Sequence, residues 1–95
     1  SIKFKNAGDK QMLIERVAEY GNIIFLKYLL DNDISYNYNA ILKRTIKKCK
    51  HSHIEIVTLF LSKNIDKSDP DFCMGATHNF ELLKFLEKNN FKNSL

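Results

Sequence analysis

The chain has 95 residues and a mass of 11.1 kDa, a length that buries only roughly 60–65% of its unfolded surface and argues against a large enzyme with a deep pocket. Hydrophobic residues at 44% and charged residues at 27% are ordinary globular usage, which excludes a disordered chain, and no apolar run is long enough to span a bilayer. The net charge of +4 and the pI near 9.1 are too mild for histone-like electrostatics.

Helical patterns follow one another along the chain. Asp9 is placed to cap a helix over Lys10 to Tyr20, with Leu13, Ile14, Val17 and Ala18 on one face and Gly21 as its breaker. A more apolar helix follows, Asn-Ile-Ile-Phe-Leu-Lys-Tyr-Leu-Leu from Asn22 to Leu30. Asn37 or Asn39 opens a third, Ala40 to Lys50, with Ile41, Leu42, Thr45, Ile46 and Cys49 inward. The fourth runs through Ile54-Glu-Ile-Val-Thr-Leu-Phe-Leu61. Asp69 is placed to cap a short fifth helix with Pro70 at its first position, ending near Thr77, and the sixth covers Phe80 to about Glu87.

The second, fourth and sixth helices align without gaps when Gly21, Ser52 and His78 are superposed. Seven columns then emerge: Ile23/Ile54/Phe80, Phe25/Ile56/Leu82, Leu26/Val57/Leu83, Tyr28/Leu59/Phe85, Leu29/Phe60/Leu86, Leu30/Leu61/Glu87 and Ile34/Ile65/Phe91. Twenty of these 21 positions are apolar. A face this broad belongs to a helix packed on more than one side. Asp33, Asn64 and Asn90 hold corresponding positions beyond each helix, where Asp and Asn tolerate the left-handed conformation that ends it. The sequence therefore predicts an all-α chain of three antiparallel helix pairs, with repeats at about 9–36, 37–66 and 67–92. One such pair cannot bury its apolar stripe alone, so the pairs must stack.

The residues from Glu19 to Asp33, Glu-Tyr-Gly-Asn-Ile-Ile-Phe-Leu-Lys-Tyr-Leu-Leu-Asp-Asn-Asp, resemble the core of the ankyrin repeats, and Ser52 to Val57 falls in the same frame. The resemblance covers about residues 10–92. It implies an α-solenoid, usually without catalysis and usually binding other proteins. The family's Thr-Pro-Leu-His opening is absent from all three copies, and Asp33-Ile34-Ser35 and Asn64-Ile65-Asp66 replace its finger segment, which predicts truncated fingers. A generic helical bundle is the alternative fold. Glu87, the one polar residue in the seven columns, is expected to face outward at a C-terminal cap near the end of the natural chain. The start at Ser1 without Met leads us to expect a fragment.

In the ankyrin arrangement the first helix of each pair lines the binding surface. The middle one carries Lys43, Arg44, Lys47 and Lys48, whose i,i+4 like-charge pairs each oppose an isolated helix by about 0.2–0.5 kcal/mol. That cluster, with Tyr20, Tyr36 and Tyr38 in support, is the candidate partner-binding face. The bland alternatives are that lysines fill a solvated face, in a chain where Asn, Lys and Ile take 33 of 95 positions, and that Tyr36 and Tyr38 pack onto adjoining pairs. The first helix offers a mixed surface of Lys10, Gln11, Glu15, Glu19 and Tyr20. An acidic protein segment is the expected partner. Nucleic-acid phosphate is the second reading, without a Gly-rich clamp or stacking array to accompany it, and a spacer that binds nothing is the third.

Cys49, His53, Cys73 and His78 have spacings that make a zinc site conceivable, but the repeat frame assigns them structural positions. Cys49 falls where members of the family place a small buried Ala, and His53 falls in the column of Asn22 and Asn79. Cys49 with His53 is the one nucleophile–base pair, and it has no orienting third residue. We expect neither metal, cofactor nor catalysis. Two cysteines are too few for a disulfide framework, so a reducing compartment, the cytoplasm or the nucleus, is expected.

Overall fold

The computed structural model describes residues 7–32, 36–48 and 53–94. Among them the regular structure is entirely α-helical, in six helices: α1 (Ala7–Glu19), α2 (Ile23–Asn32), α3 (Tyr38–Lys48), α4 (His53–Phe60), α5 (Asp71–Gly75) and α6 (Phe80–Lys88). None is long and apolar enough to cross a membrane.

Local chemistry sets most of these boundaries. Gly21 takes φ 76° and closes α1 with paired bonds, its own N–H donating to the Ala18 carbonyl at 3.1 Å and that of Asn22 to Val17 at 3.3 Å, the Schellman arrangement. Asn90 repeats it at the end of α6 with φ 71°, Asn90 donating to Glu87 and Phe91 to Leu86, both at 3.0 Å. Asn22 and Asn79 start α2 and α6 alike, each Oδ1 accepting the N–H three residues on at 3.1 Å. Asn37 does the same for α3, accepting from Ala40 at 3.0 Å.

Three expectations are corrected. Helix α1 begins at Ala7, so Asp9 lies within its first turn rather than at its cap, where a carboxylate still favours the exposed amides. Helix α5 spans only Asp71–Gly75 and stops short of Thr77; Pro70 before it already has helical dihedrals (φ −68°, ψ −13°), and Asp69 accepts from the Asp71 N–H at 3.0 Å. Among the described residues Asn90 is the one non-glycine with positive φ. Asn64 lacks that conformation because α4 ends earlier, at Phe60, through tight bonds from Leu61 to Thr58 and Lys63 to Phe60. Asp33 lies outside the described residues. The buried counterparts of Ile14, Val17 and Ala18 are Leu42, Thr45 and Ile46; Cys49 lies outside the described residues. The first helices thus recur after 28 residues (Ile14 to Leu42) and the second after 31 (Leu26 to Val57), which leaves three extra residues between Ile46 and α4.

Helix α1 packs on α2 and α3, α3 on α4 and α5, and both α5 and α4 on α6. The three pairs therefore lie in a row, with Cα extents of 41 × 23 × 18 Å. The core joins Ile14, Val17 and Ala18 of α1, Leu26, Leu29 and Leu30 of α2, Ile41, Leu42 and Ile46 of α3, Ile56, Val57 and Phe60 of α4, Phe72 and Cys73 of α5, and Leu82 and Leu86 of α6. Thr45 is fully buried among them and is satisfied by its own helix, donating to the Ile41 carbonyl at 2.8 Å. Phe91 folds back beneath α5, its ring edge-on to Phe72 at 5.3 Å.

Candidate functional site

Side-chain amides fix the register of one first helix against the next. The Gln11 amide clamps the backbone of Asn37, accepting from its N–H at 2.8 Å and donating to its carbonyl at 3.1 Å. One pair further on, Asn39 accepts from the Asp66 N–H at 3.0 Å. The start of α1 is thus tied to the start of α3, while the end of α1 meets the later part of α3 through Glu19 and Arg44, so the two helices run side by side in the same direction.

That register divides the four predicted cations. Arg44 reaches back to α1, its Nε 2.7 Å from Glu19 and its Nη1 3.6 Å from Glu15. Lys43 reaches forward, pairing with Asp69 and, at 3.7 Å, with Asp71, and its ammonium stands 5.7 Å from the centroid of the Phe72 ring. The hydrogen bond from Lys43 holds the Asp69 carboxyl below the ordinary aspartate range, helped by the Asp71 N–H; the same bond raises Lys43 above the ordinary lysine value, against the opposing pull of desolvation. Two of the four cations are therefore neutralised by acids of neighbouring pairs, which removes much of the like-charge cost expected for α3. The acids Glu15, Glu19, Asp69 and Asp71 were not singled out as partners of these cations from sequence. The available signal was the i,i+4 spacing of Glu15 and Glu19.

Lys47 and Lys48 differ. Both are exposed in the last turn of α3, where a cation complements the free carbonyls, and neither has an ion-pair partner among the described residues. The Lys47 stem crosses α5 closely enough that a Cβ on Gly75 would lie 3.2 Å from its Cγ. Tyr20, 83% exposed, holds the position on α1 that corresponds to Lys48 on α3, counted in the 28-residue frame of the buried residues.

The other two tyrosines sit at the opposite end. Tyr38 is the first residue of α3, about 14 Å along the helix from Lys47. Tyr36 and Tyr38 are both half-buried against the core. Their rings meet edge-on at 6.4 Å, and Tyr38 meets Phe60 at 6.3 Å. Burial, and then the neighbouring Tyr38, push the Tyr36 hydroxyl above the usual tyrosine value. With Asn37, Asn39 and Asn64 they line an open recess of about 380 Å³. The structure thus brings Tyr20, Lys47 and Lys48 to one end of the first helices and separates Tyr36 and Tyr38 from them.

Among the described residues no cluster of three metal-ligating side chains occurs; Cys49 and His51 lie outside them. Cys73 is buried, its Sγ 3.9 Å from the Phe91 carbonyl oxygen, and burial, with Glu87 adding to it, raises its thiol above the usual value, the opposite of nucleophile activation. No family model, no curated protein and no solved structure matches this chain.

Proposed function

We propose that this chain is a stack of helix pairs of ankyrin type, non-catalytic, that binds an acidic segment of a protein partner at the end of its first helices, through Lys47 and Lys48 with Tyr20 beside them. The observation that carries this reading is the division of charge on α3: Lys43 and Arg44 are paired in place, while Lys47 and Lys48 are exposed without an ion pair among the described residues. Exposed, unpaired cations next to an exposed tyrosine have the composition of a contact surface for an acidic chain. Tyr36 and Tyr38 form a separate, half-buried aromatic support and are assigned to the framework.

The test is charge reversal at Lys47 and Lys48 alone, because Lys43→Glu would also set three acids together with Asp69 and Asp71. Wild type and the Lys47→Glu/Lys48→Glu variant are immobilised and exposed to matched lysates at about 150 mM salt, where exposed charges beyond roughly 8 Å are screened, with and without nuclease. A discrete protein should be retained by wild type, and its affinity for the variant should fall by about tenfold. Equal retention would refute the assigned face. Retention abolished by nuclease, with a steep salt slope, would transfer the face to nucleic-acid phosphate.

A further inference from the structure

Burial within each column of the second helices changes along the chain, and it does so in opposite senses on the two flanks. Phe25 is half-buried where Ile56 and Leu82 are fully buried, and Tyr28 is 58% exposed where Leu59 and Phe85 are half-buried. Leu26 and Val57 are buried where Leu83 is only half-buried; Leu30 is buried, Leu61 half-buried and Glu87 exposed. Leu29, Phe60 and Leu86 are buried in all three pairs. At about 100° per residue, positions 25 and 28 lie to one side of Leu29 and positions 26 and 30 to the other. The first flank is more buried where a pair precedes, the second more buried where a pair follows. The cleft of about 220 Å³ between α2 and α4 bears this out, since Lys27, Leu30 and Asp31 of α2 face Leu59 with Ser62 and Lys63 across it. Leu59, in the column of Tyr28, is turned toward the leucine flank of the preceding helix.

The two ends of the row are unlike. At one, Glu87 is exposed in the leucine column beside Phe80 at 72% exposure, so that end presents a carboxylate. At the other, Phe25 and Tyr28 stack with centroids 6.2 Å apart and planes at 29°, next to Ile24 at 85% exposure. An aromatic pair in two columns that are more buried in both later copies is a stacking surface left unfilled among the described residues. We infer that this flank of α2 docks a further helix pair, seated as α1–α2 is seated on α3–α4, whose second helix carries apolar residues in the Leu26 and Leu30 columns. A second copy of this chain does not fit, because its free end would press the Glu87 carboxylate against Tyr28. The inference rests on the stacked-pair reading above and is independent of Lys47 and Lys48, so loss of the basic contact leaves it standing.

A copy of residues 37–67 joined ahead of Asp9 supplies such a pair, with Val57 and Leu61 of the copy in the two columns. Nitration of Tyr28, mapped by mass spectrometry, and hydrogen exchange of α2 are compared with the original chain and with the same insertion carrying Val57→Glu and Leu61→Glu in the copy. Tyr28 nitration should fall, and α2 exchange should slow, by about tenfold in a monomeric product, and the glutamate insertion should restore both. A second insertion, residues 9–36 with Tyr28→Phe in the copy, repeats the test should the first fail to fold. Unchanged nitration in a folded product, or failure of both insertions to fold, overturns the inference. So does a dimer of the original chain in which Tyr28 is already protected, since the face would then be a self-interface.

Discussion

Lys43 stands between Asp69, Asp71 and the Phe72 ring, and its charge is spent on holding α5 against α3. The pH dependence follows from the directions of the two shifts. Asp69 has a lowered value in the folded chain, so its contribution is complete above the ordinary aspartate value and is lost as pH falls through the lowered one. Lys43 has a raised value, so its contribution is complete below the ordinary lysine value and is lost as pH climbs through the raised one. The pair therefore supports the fold between these limits. Asp69→Asn keeps an acceptor for the Asp71 N–H but removes the charge. Its melting temperature should lie below that of wild type through neutral pH, and the two curves should converge in acid, below the ordinary carboxylate range. Curves that stay parallel through and below that range would show that the pair contributes nothing. Arg44 and Glu19 form the matching link on the other side of α3, and none of these pairs was predicted in advance. Charges 25 or more residues apart meet only once the register of neighbouring pairs is known, and the register depends on Gln11 and Asn39 gripping a backbone that the sequence does not display.

Helices α2 and α6 start and α1 and α6 end by repeated devices, and here the sequence was largely legible. Gly21 and Asn90 end their helices as their residue types imply, and Asn22 and Asn79, not read as caps, cap by the same short-range rule, because caps depend on neighbours only a few positions away. Asn79→Ala should lower the unfolding free energy by about 1 kcal/mol, within the 0.5–2 kcal/mol known for such caps, whereas Asn79→Asp should be close to neutral since it retains the acceptor and favours the helix N-terminus; urea titrations of the two variants measure the difference. The apolar spacing was equally legible, and Ile14 and Leu42 of the first helices and Phe60 and Leu86 of the columns are buried as it demands. What the columns concealed was position in the row. Tyr28 and Leu59 occupy one column, yet only Leu59 has a preceding pair to cover it. Asn64 was misjudged for a related reason, because its role depended on where α4 stops, and Phe60 stops it three residues earlier than the alignment implied.

In the row of pairs the central one touches both others, α3 meeting α1 and α5 while α4 meets α6, so damage should spread unequally. A chain of this length holds about 5–14 kcal/mol against unfolding, and each pair draws a large part of its share from its neighbours. Leu42 is fully buried in α3, the helix that meets both α1 and α5; Leu42→Ala removes about 2–5 kcal/mol, enough to melt a chain at the lower end of that range. Leu86→Ala in α6 deletes a side chain of the same size, equally buried, but at the end of the row. Hydrogen exchange should then separate the two variants. With Leu42→Ala the amides of α1, α3 and α6 should all speed up together, because losing the centre uncouples both ends. With Leu86→Ala the acceleration should concentrate in α5 and α6 and leave α1 near its original rate, since α1 keeps Ile14, Val17 and Ala18 packed on α2 and α3. Equal acceleration of α1 by both substitutions would mean that the three pairs form one indivisible core. In that case the flank of α2 would owe its exposure to the particular outline of this core and not to its place in a row.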